Sequence, residues 1–332
     1  MPTLHLIDAD STQACPAVLA SLRASVHGGD RVLLLGGRVI RAYAAQAGVH
    51  DAHHLAVPLG KAAMGVHALR RWLGQGPAFD LIHCWSPGAL HAATLVTRDT
   101  PKHLSLAHTP GHTQLNRLLR LAESRRAANI QITADNAPLT KRIVAAGVPC
   151  RTAPIPLPDT DASPPPTTPR EQLRRAWGVP RAEDFAIALL SDHPHLTDSL
   201  DAAAIVVLGC STLTDEPGRS SAASLILHPG QPKLRRARAL LGDQSTHMGV
   251  AQDAAVIRPW DVLGACDAVL ALGADAGGLS LRWALRSGVP VIASANGPAG
   301  EHRDTDGDLR LAHTDQHKDL AHLLHTALQA RM

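Results

Sequence analysis

Short apolar runs alternate with helix-period stretches along nearly the whole chain, and that rhythm leaves few folds open. Leu4–Ile7 is apolar and ends at Asp8-Ala9-Asp10. A stretch over Thr12–Val26 then places Ala14, Val18, Leu19 and Leu22 at helical spacing. A Gly28-Gly29-Asp30 turn leads into the continuous apolar run Arg31–Leu35, closed by Gly36-Gly37. Strand, helix, turn and strand make one βαβ unit, whose parallel strands need a helical crossover.

The pattern repeats. Helices are predicted at Ala62–Leu73, after Ser86-Pro87-Gly88, at Gln114–Arg126 and at Asn136–Ala146, the last stopped by Gly147-Val148-Pro149. Strands are predicted at Phe79–His83, His103–Ala107 and Asn129–Thr133. From Pro154 to Pro169 the composition shifts to dense proline, including Pro164-Pro165-Pro166, which no helix or central strand tolerates. This segment reads as a linker. A second α/β series follows: a helix at Arg170–Trp177, strands at Ala186–Leu190, Ser224–His228, Ala254–Ile257, Ala268–Leu272 and Val289–Ala293, a basic helix at Pro232–Leu241 and a closing helix at Asp319–Arg331. Ala203–Leu208 suits a strand or the end of a helix. The expected fold class is α/β, with two Rossmann-like domains facing a central cleft. The expected organisation is a first domain over 1–153, a linker over 154–169, a second domain over 170–315 and a C-terminal helix over 316–332.

Composition supports this and excludes other classes. The 332 residues are enough for two domains with their own cores. Aromatics make up only 2%, so cores must be built from Ala, Val, Leu and Ile. A base-stacking nucleic-acid binder would need more exposed aromatics. A net charge of +3 is no electrostatic footprint for DNA. The 20 histidines are scattered singly, which reads as solvated surface imidazole rather than metal ligation. Five widely spaced cysteines without a C-x-x-C pattern suggest reduced thiols and a cytoplasmic location. Neither a signal peptide nor a membrane span is evident.

Open α/β sheets bind ligands at the carboxyl ends of their strands, so the loops there hold the candidates. After the first strand, Ser11 and Thr12 stand where a glycine-rich phosphate loop would need glycines, and they suit a helix cap. In His83-Cys84-Trp85-Ser86-Pro87-Gly88, Ser86 suits an N-cap or a cleft-facing hydroxyl, and Trp85 suits a cleft wall or interdomain packing. His108 ends another strand, where an imidazole can donate to a sugar or stabilise developing charge. In Gly273–Ser280, Gly277 and Gly278 permit close backbone approach, and the N–H groups opening the next helix can hold a phosphate. Asp275 in that loop can accept sugar hydroxyls.

These segments together resemble the retaining GT-B glycosyltransferases of the family-4 type. Phe79-Asp-Leu-Ile-His83 is similar to the family's "fDlvH" strand, and Trp260–Leu270 to its "l..aDv.v.PS" stretch. Ala284–Ser294 resembles "AmasGvPVIas". The resemblance implies transfer of a sugar from a nucleotide-sugar donor, with no metal and no other cofactor. It implies that His108 lies beside the donor sugar and that Asp275 takes the place of the first Glu of the family's paired-glutamate motif. Gly277, Gly278, Leu279 and Ser280 would meet sugar and diphosphate. The second Glu, which grips ribose, is replaced by Trp283, whose indole only donates. The family's Arg and Lys on the diphosphate have no counterpart in Ser191–Asp198, where His193 and His195 are the remaining candidates. Such donors are each worth on the order of 2–4 kcal/mol in the transition state. Two functions follow as expectations: a glycosyltransferase with an unknown acceptor, or a GT-B-like binding or scaffold protein without catalysis. The basic stretch 117–126 suggests peripheral contact with anionic membrane.

Overall fold

The computed structural model describes residues 2–8, 17–36, 49, 51–56, 62–108, 110–124, 127–157, 169–177, 179, 184–190, 197–214, 223–227, 248–250, 263–272, 278–296, 298–302, 307–313 and 316–331. By backbone proximity the chain divides into two units, Met1–Asp159 and Thr160–Met332.

The first unit is built on seven strands: β1 (Thr3–Asp8), β2 (Arg31–Gly36), β3 (His53–Ala56), β4 (Leu81–Cys84), β5 (Lys102–Leu106), β6 (Ile130–Ala134) and β7 (Arg151–Thr152). All pairings are parallel, in the order β3-β2-β1-β4-β5-β6-β7. Its helices are α1 (Ala17–Ser25), α2 (Ala62–Gln75), α3 (Pro87–Val96), α4 (His112–Ala122) and α5 (Ala137–Ala145). Parallel strands bury both faces, and alternation divides their residues between them. Leu4, Leu6, Ile82, Cys84, Leu104, Leu106, Ile132 and Ala134 point to one face and join Leu69, Leu90, Leu118 and Ile143 from the helices in one core. The other positions of β1, β4 and β5 carry His5, His83, His103 and Ser105.

Local chemistry starts and stops these helices. Ser86 and Asn136 cap α3 and α5, accepting the N–H of Ala89 and Leu139, each with a proline in the first two helical positions. Gly147, at φ +86°, leaves α5 through the left-handed region that suits glycine.

The second unit repeats the plan. Its strands are β8 (Phe185–Leu190), β9 (Ala223–Leu227), β10 (Met248–Val250), β11 (Ala268–Ala271), β12 (Val291–Ser294) and β13 (Leu309–Ala312). They are again parallel, in the order β10-β9-β8-β11-β12-β13. Its helices are α6 (Arg170–Ala176), α7 (Thr197–Thr214), α8 (Leu279–Arg286) and α9 (His317–Gln329). Ala203–Leu208, which suited strand or helix, lies inside α7. The closing helix α9 buries Leu320, Ala321, Leu324, Ala327 and Leu328 in the same core as Ala203, Val207 and the strands. The strand expected at 254–257 and the basic helix at 232–241 lie outside the described residues. Both sheets thus have the doubly wound Rossmann order, and the fold is α/β with two Rossmann-like units.

A buried ion cluster joins the start of the second unit to its sheet. Asp267, just before β11, accepts Arg174 Nη1 at 2.7 Å and the backbone N–H of Ala186 at 2.8 Å, and also pairs with Arg170. Arg174 donates further to the carbonyl of Asp184. Two strands and α6 are therefore tied at the amino edge of the sheet, the edge opposite the expected ligand end.

Candidate functional site

A doubly wound sheet opens a crevice where the strand order reverses, because the crossovers on either side leave in opposite directions. In the first unit the reversal lies between β1 and β4, and in the second between β8 and β11. The residues just past those strands are the candidates.

At the first switch point the parallel register pairs Leu6 with Cys84, so Asp8 and Ser86 emerge side by side. Ser86 Oγ donates to Asp8 Oδ2 at 2.7 Å and accepts the Ala89 N–H at 2.9 Å. One hydroxyl thus caps α3 and holds the carboxylate that ends β1. Gly88 makes this approach feasible, since a Cβ there would lie 2.4 Å from Asp8 Oδ2. The arrangement sets an oriented carboxylate at the mouth of a helix, where the helix dipole favours negative charge. A carboxylate so placed can accept hydroxyls of a polar ligand. Asp8 was not singled out in the sequence, since a terminal Asp after an apolar run also suits a turn.

Beneath this edge lies a face lined with histidine. The register sets His5 opposite His83 and His83 opposite His103. Their ring centroids stand 5.2 and 4.7 Å apart, and the Trp85 ring stacks on His83 at 4.6 Å. His83 Nε2 is 2.8 Å from Ser105 Oγ, and His103 Nε2 is 2.9 Å from Thr133 Oγ1. Thr133 Oγ1 also lies 3.3 Å from the Leu104 carbonyl, within reach of its hydroxyl proton. The Trp85 Nε1–H donates to His5 Nδ1 at 3.3 Å. The free proton of His5 is then on Nε2, 3.5 Å from Asp30 Oδ2, within ion-pair range but longer than a hydrogen bond.

Burial governs the charge of this ladder. Desolvation and the neighbouring imidazoles of His103 and His5 push His83 down to about 2. Desolvation also lowers His5, although Asp30 opposes it, and lowers His103. All three are neutral near pH 7. Burial pushes the Asp30 carboxyl up, but the N–H groups of His27 and Thr3, and His5 itself, outweigh it and hold Asp30 below its ordinary value. The expectation of solvated surface histidines is therefore wrong for these three. Trp85 is also corrected: it is 3% exposed and packs on His5 and His83 inside the first unit.

The remaining sequence candidates fall in several places. Ser86 is an N-cap and also holds Asp8. His108 is half-buried just past β5, the neighbour of β4, on the same carboxyl edge. In the second unit Gly278 is the N-cap of α8 and supplies no side-chain cap to its first-turn amides. Leu279, Ser280 and Trp283 are buried on α8, Trp283 at 8% exposure. Asp275, Gly277, His193 and His195 lie outside the described residues. Among the described residues no group of three or more His, Cys, Asp or Glu is arranged to hold a metal ion. Nor is any helix among them long and apolar enough to cross a membrane. Cys84, Cys150, Cys210 and Cys266 are free thiols.

No family model matches the chain, and no curated protein matches it. Solved structures do. A crystal structure of Anabaena HepE in complex with UDP-glucose matches over 100% of this chain and 90% of its own, at 19% identity and a TM-score of 0.67. The ADP-heptose lipopolysaccharide heptosyltransferase II of E. coli matches over 99% of both chains at 12% identity and a TM-score of 0.53. The UDP-GlcNAc 2-epimerase of Neisseria meningitidis, bound to UDP-GlcNAc, matches over 100% of this chain and 92% of its own, at 11% identity and a TM-score of 0.56. At these identities the likeness is one of fold, and that fold is GT-B.

Proposed function

We propose that the chain transfers a sugar from a nucleotide-sugar donor to an acceptor, as a GT-B glycosyltransferase. The observation that carries this reading is the pair of doubly wound sheets, each with a candidate edge at its switch point, shared over the full length with HepE, whose crystal structure holds UDP-glucose. In this reading the amides opening α8 receive the diphosphate, and the glycines before them let it approach. Asp275 accepts hydroxyls of the donor sugar, and His108 donates beside it. Ser86 and Asp8 mark the end of the first sheet that receives the acceptor. The retaining course and the likeness to family 4 rest on Ala284–Ser294 and on His108. No metal enters, because the diphosphate is met by amides and side chains. Trp283 at the ribose position implies a looser hold on the nucleoside than a carboxylate would provide. Contact of α4 with anionic lipid, through the exposed Arg117 and Arg120, belongs to the same proposal.

The test is release of nucleoside diphosphate from UDP-, GDP- or ADP-sugars by the purified chain. Release with at least one donor is expected. His108→Ala and Asp275→Ala should each lower it, His108→Ala on the order of 100-fold. Retention is checked by the anomeric configuration of the product in NMR. Intact donor with all three nucleotides would overturn the reading in favour of a non-catalytic binding protein. Conversion of the donor to an epimer would overturn it in favour of the chemistry of the N. meningitidis enzyme.

A further inference from the structure

Nothing in the proposed transfer uses the buried histidines of the first sheet, yet one of them is bonded to the residue that leads into the candidate edge. His5 Nδ1 accepts the Trp85 Nε1–H at 3.3 Å. An indole nitrogen only donates, so this bond exists only while His5 Nδ1 carries a lone pair. Trp85 precedes Ser86, whose hydroxyl caps α3 and holds Asp8. We propose that His5 and Trp85 form a proton-gated joint: uptake of one proton from solvent at His5 Nδ1 ends the Trp85 side-chain hydrogen bond and frees the indole from β1, while the Trp85 backbone N–H keeps the turn on the Leu6 carbonyl at 3.0 Å.

The surroundings make His5 the group that takes this proton. Among the described residues, the titratable groups facing it are Asp30 and His27 from the turn between α1 and β2, and His83 from β4. Asp30 Oδ2, 3.5 Å from His5 Nε2, attracts an imidazolium, whereas His27 opposes it. Burial and the neighbouring His103 and His5 push His83 down to about 2, so it stays neutral over the pH range of the experiment. His103 is hydrogen-bonded to Thr133 and lies on β5, on the other side of His83 from His5. A charged His5 would present an N–H to the indole N–H and a cation to the His83 ring. The first contact becomes unfavourable, and the Trp85 ring, stacked on His83 at 4.6 Å, is the part that can leave. With the indole freed, the start of α3 keeps the backbone bond of Trp85 to Leu6 but loses its side-chain tie to β1, so the Ser86 cap and the Asp8 tie loosen. The bearing on activity rests on reading this edge as part of the site; the joint itself does not.

The experiment follows the Trp85 indole N–H in 1H–15N spectra of the full chain from pH 8 to 5, assigned by its loss in Trp85→Phe. The expected result is a one-proton shift of that resonance with its midpoint below the ordinary histidine value of 6.5, while the other indoles stay put. In His5→Gln, whose side-chain oxygen can still accept from the indole but cannot titrate, the shift should vanish. If His5→Gln does not fold, wild-type amide exchange serves instead, with exchange in Ser86–Leu90 rising at least tenfold over the same pH step before that of β1 and β2. An indole resonance that ignores pH, one that still titrates in His5→Gln, or loss of all indole signals together would overturn the proposal. Each readout is spectroscopic, so a chain that releases no diphosphate from any donor leaves it standing.

Discussion

A single hydroxyl, Ser86 Oγ, joins a helix start to a strand end, and its neighbours show how little room the arrangement has. Ser86→Ala removes the α3 cap, worth about 1 kcal/mol, and leaves Asp8 Oδ2 without that donor. We expect a loss of about 1–3 kcal/mol in urea unfolding, with Ser86→Thr recovering most of it. Gly88→Ala tests the same spot by crowding, since its Cβ would meet Asp8 Oδ2 at 2.4 Å. It should cost about 1–3 kcal/mol and, if Asp8 orients the acceptor, raise the acceptor KM more than it lowers donor hydrolysis. At this scale the sequence was partly legible. Ser86-Pro87-Gly88 reads as a helix start from composition alone, while its bond to Asp8 depends on the register of two strands whose paired residues are 78 apart in the chain.

Elements are held by different means at their two ends. At the amino edge of the second sheet, Arg174 and Asp267 are both nearly buried and bind backbone groups as well as each other. Arg174→Ala would leave Asp267 buried with only the half-exposed Arg170 for charge. We expect it to cost about 3–5 kcal/mol, against about 0–1 for Arg170→Ala, both measured by chemical denaturation. On the flank of that sheet α7 and α9 lie close: a Cβ at Gly209 would meet the Ala321 Cβ at 3.1 Å. Gly209→Leu should push the helices apart and lower the melting temperature, whereas Gly209→Ala should be nearly neutral, helix propensity offsetting the crowding. Sequence reading located the strands in the interior of both sheets. The ones it passed over are β3, β7, β10 and β13, the edge strands of the two sheets. Interior strands such as β2 and β11 are buried along nearly their whole length and announce themselves as continuous apolar runs, but an edge strand is half-solvated and His53–Ala56 or Leu309–Ala312 can carry polar residues.

Over the whole molecule the neutral histidine ladder sets a direction for acid sensitivity. His83 is held at about 2, against an ordinary 6.5 in the unfolded chain. Above pH 6.5 both states are neutral at this residue; below it the unfolded chain takes up a proton that the folded one refuses, so stability falls as pH falls. Between pH 6.5 and 5 this amounts to about 2 kcal/mol for His83 alone, and His5 and His103 act in the same direction. Urea unfolding at pH 7 and 5 should show the loss, and His83→Gln, which keeps a partner for Ser105, should flatten it. By itself the sequence determined the α/β class, the two βαβ series and the Ser86 start of α3, because each is written in residues within a few positions of one another. Tertiary structure decided which residues meet across strands. Parallel register placed Asp8 beside Ser86 and set His5, His83 and His103 in a row, and crossover topology decided which strand ends form a crevice. Period-2 patterning tells a strand which side chains share a face, but it carries no information about the residue that the next strand will set opposite them.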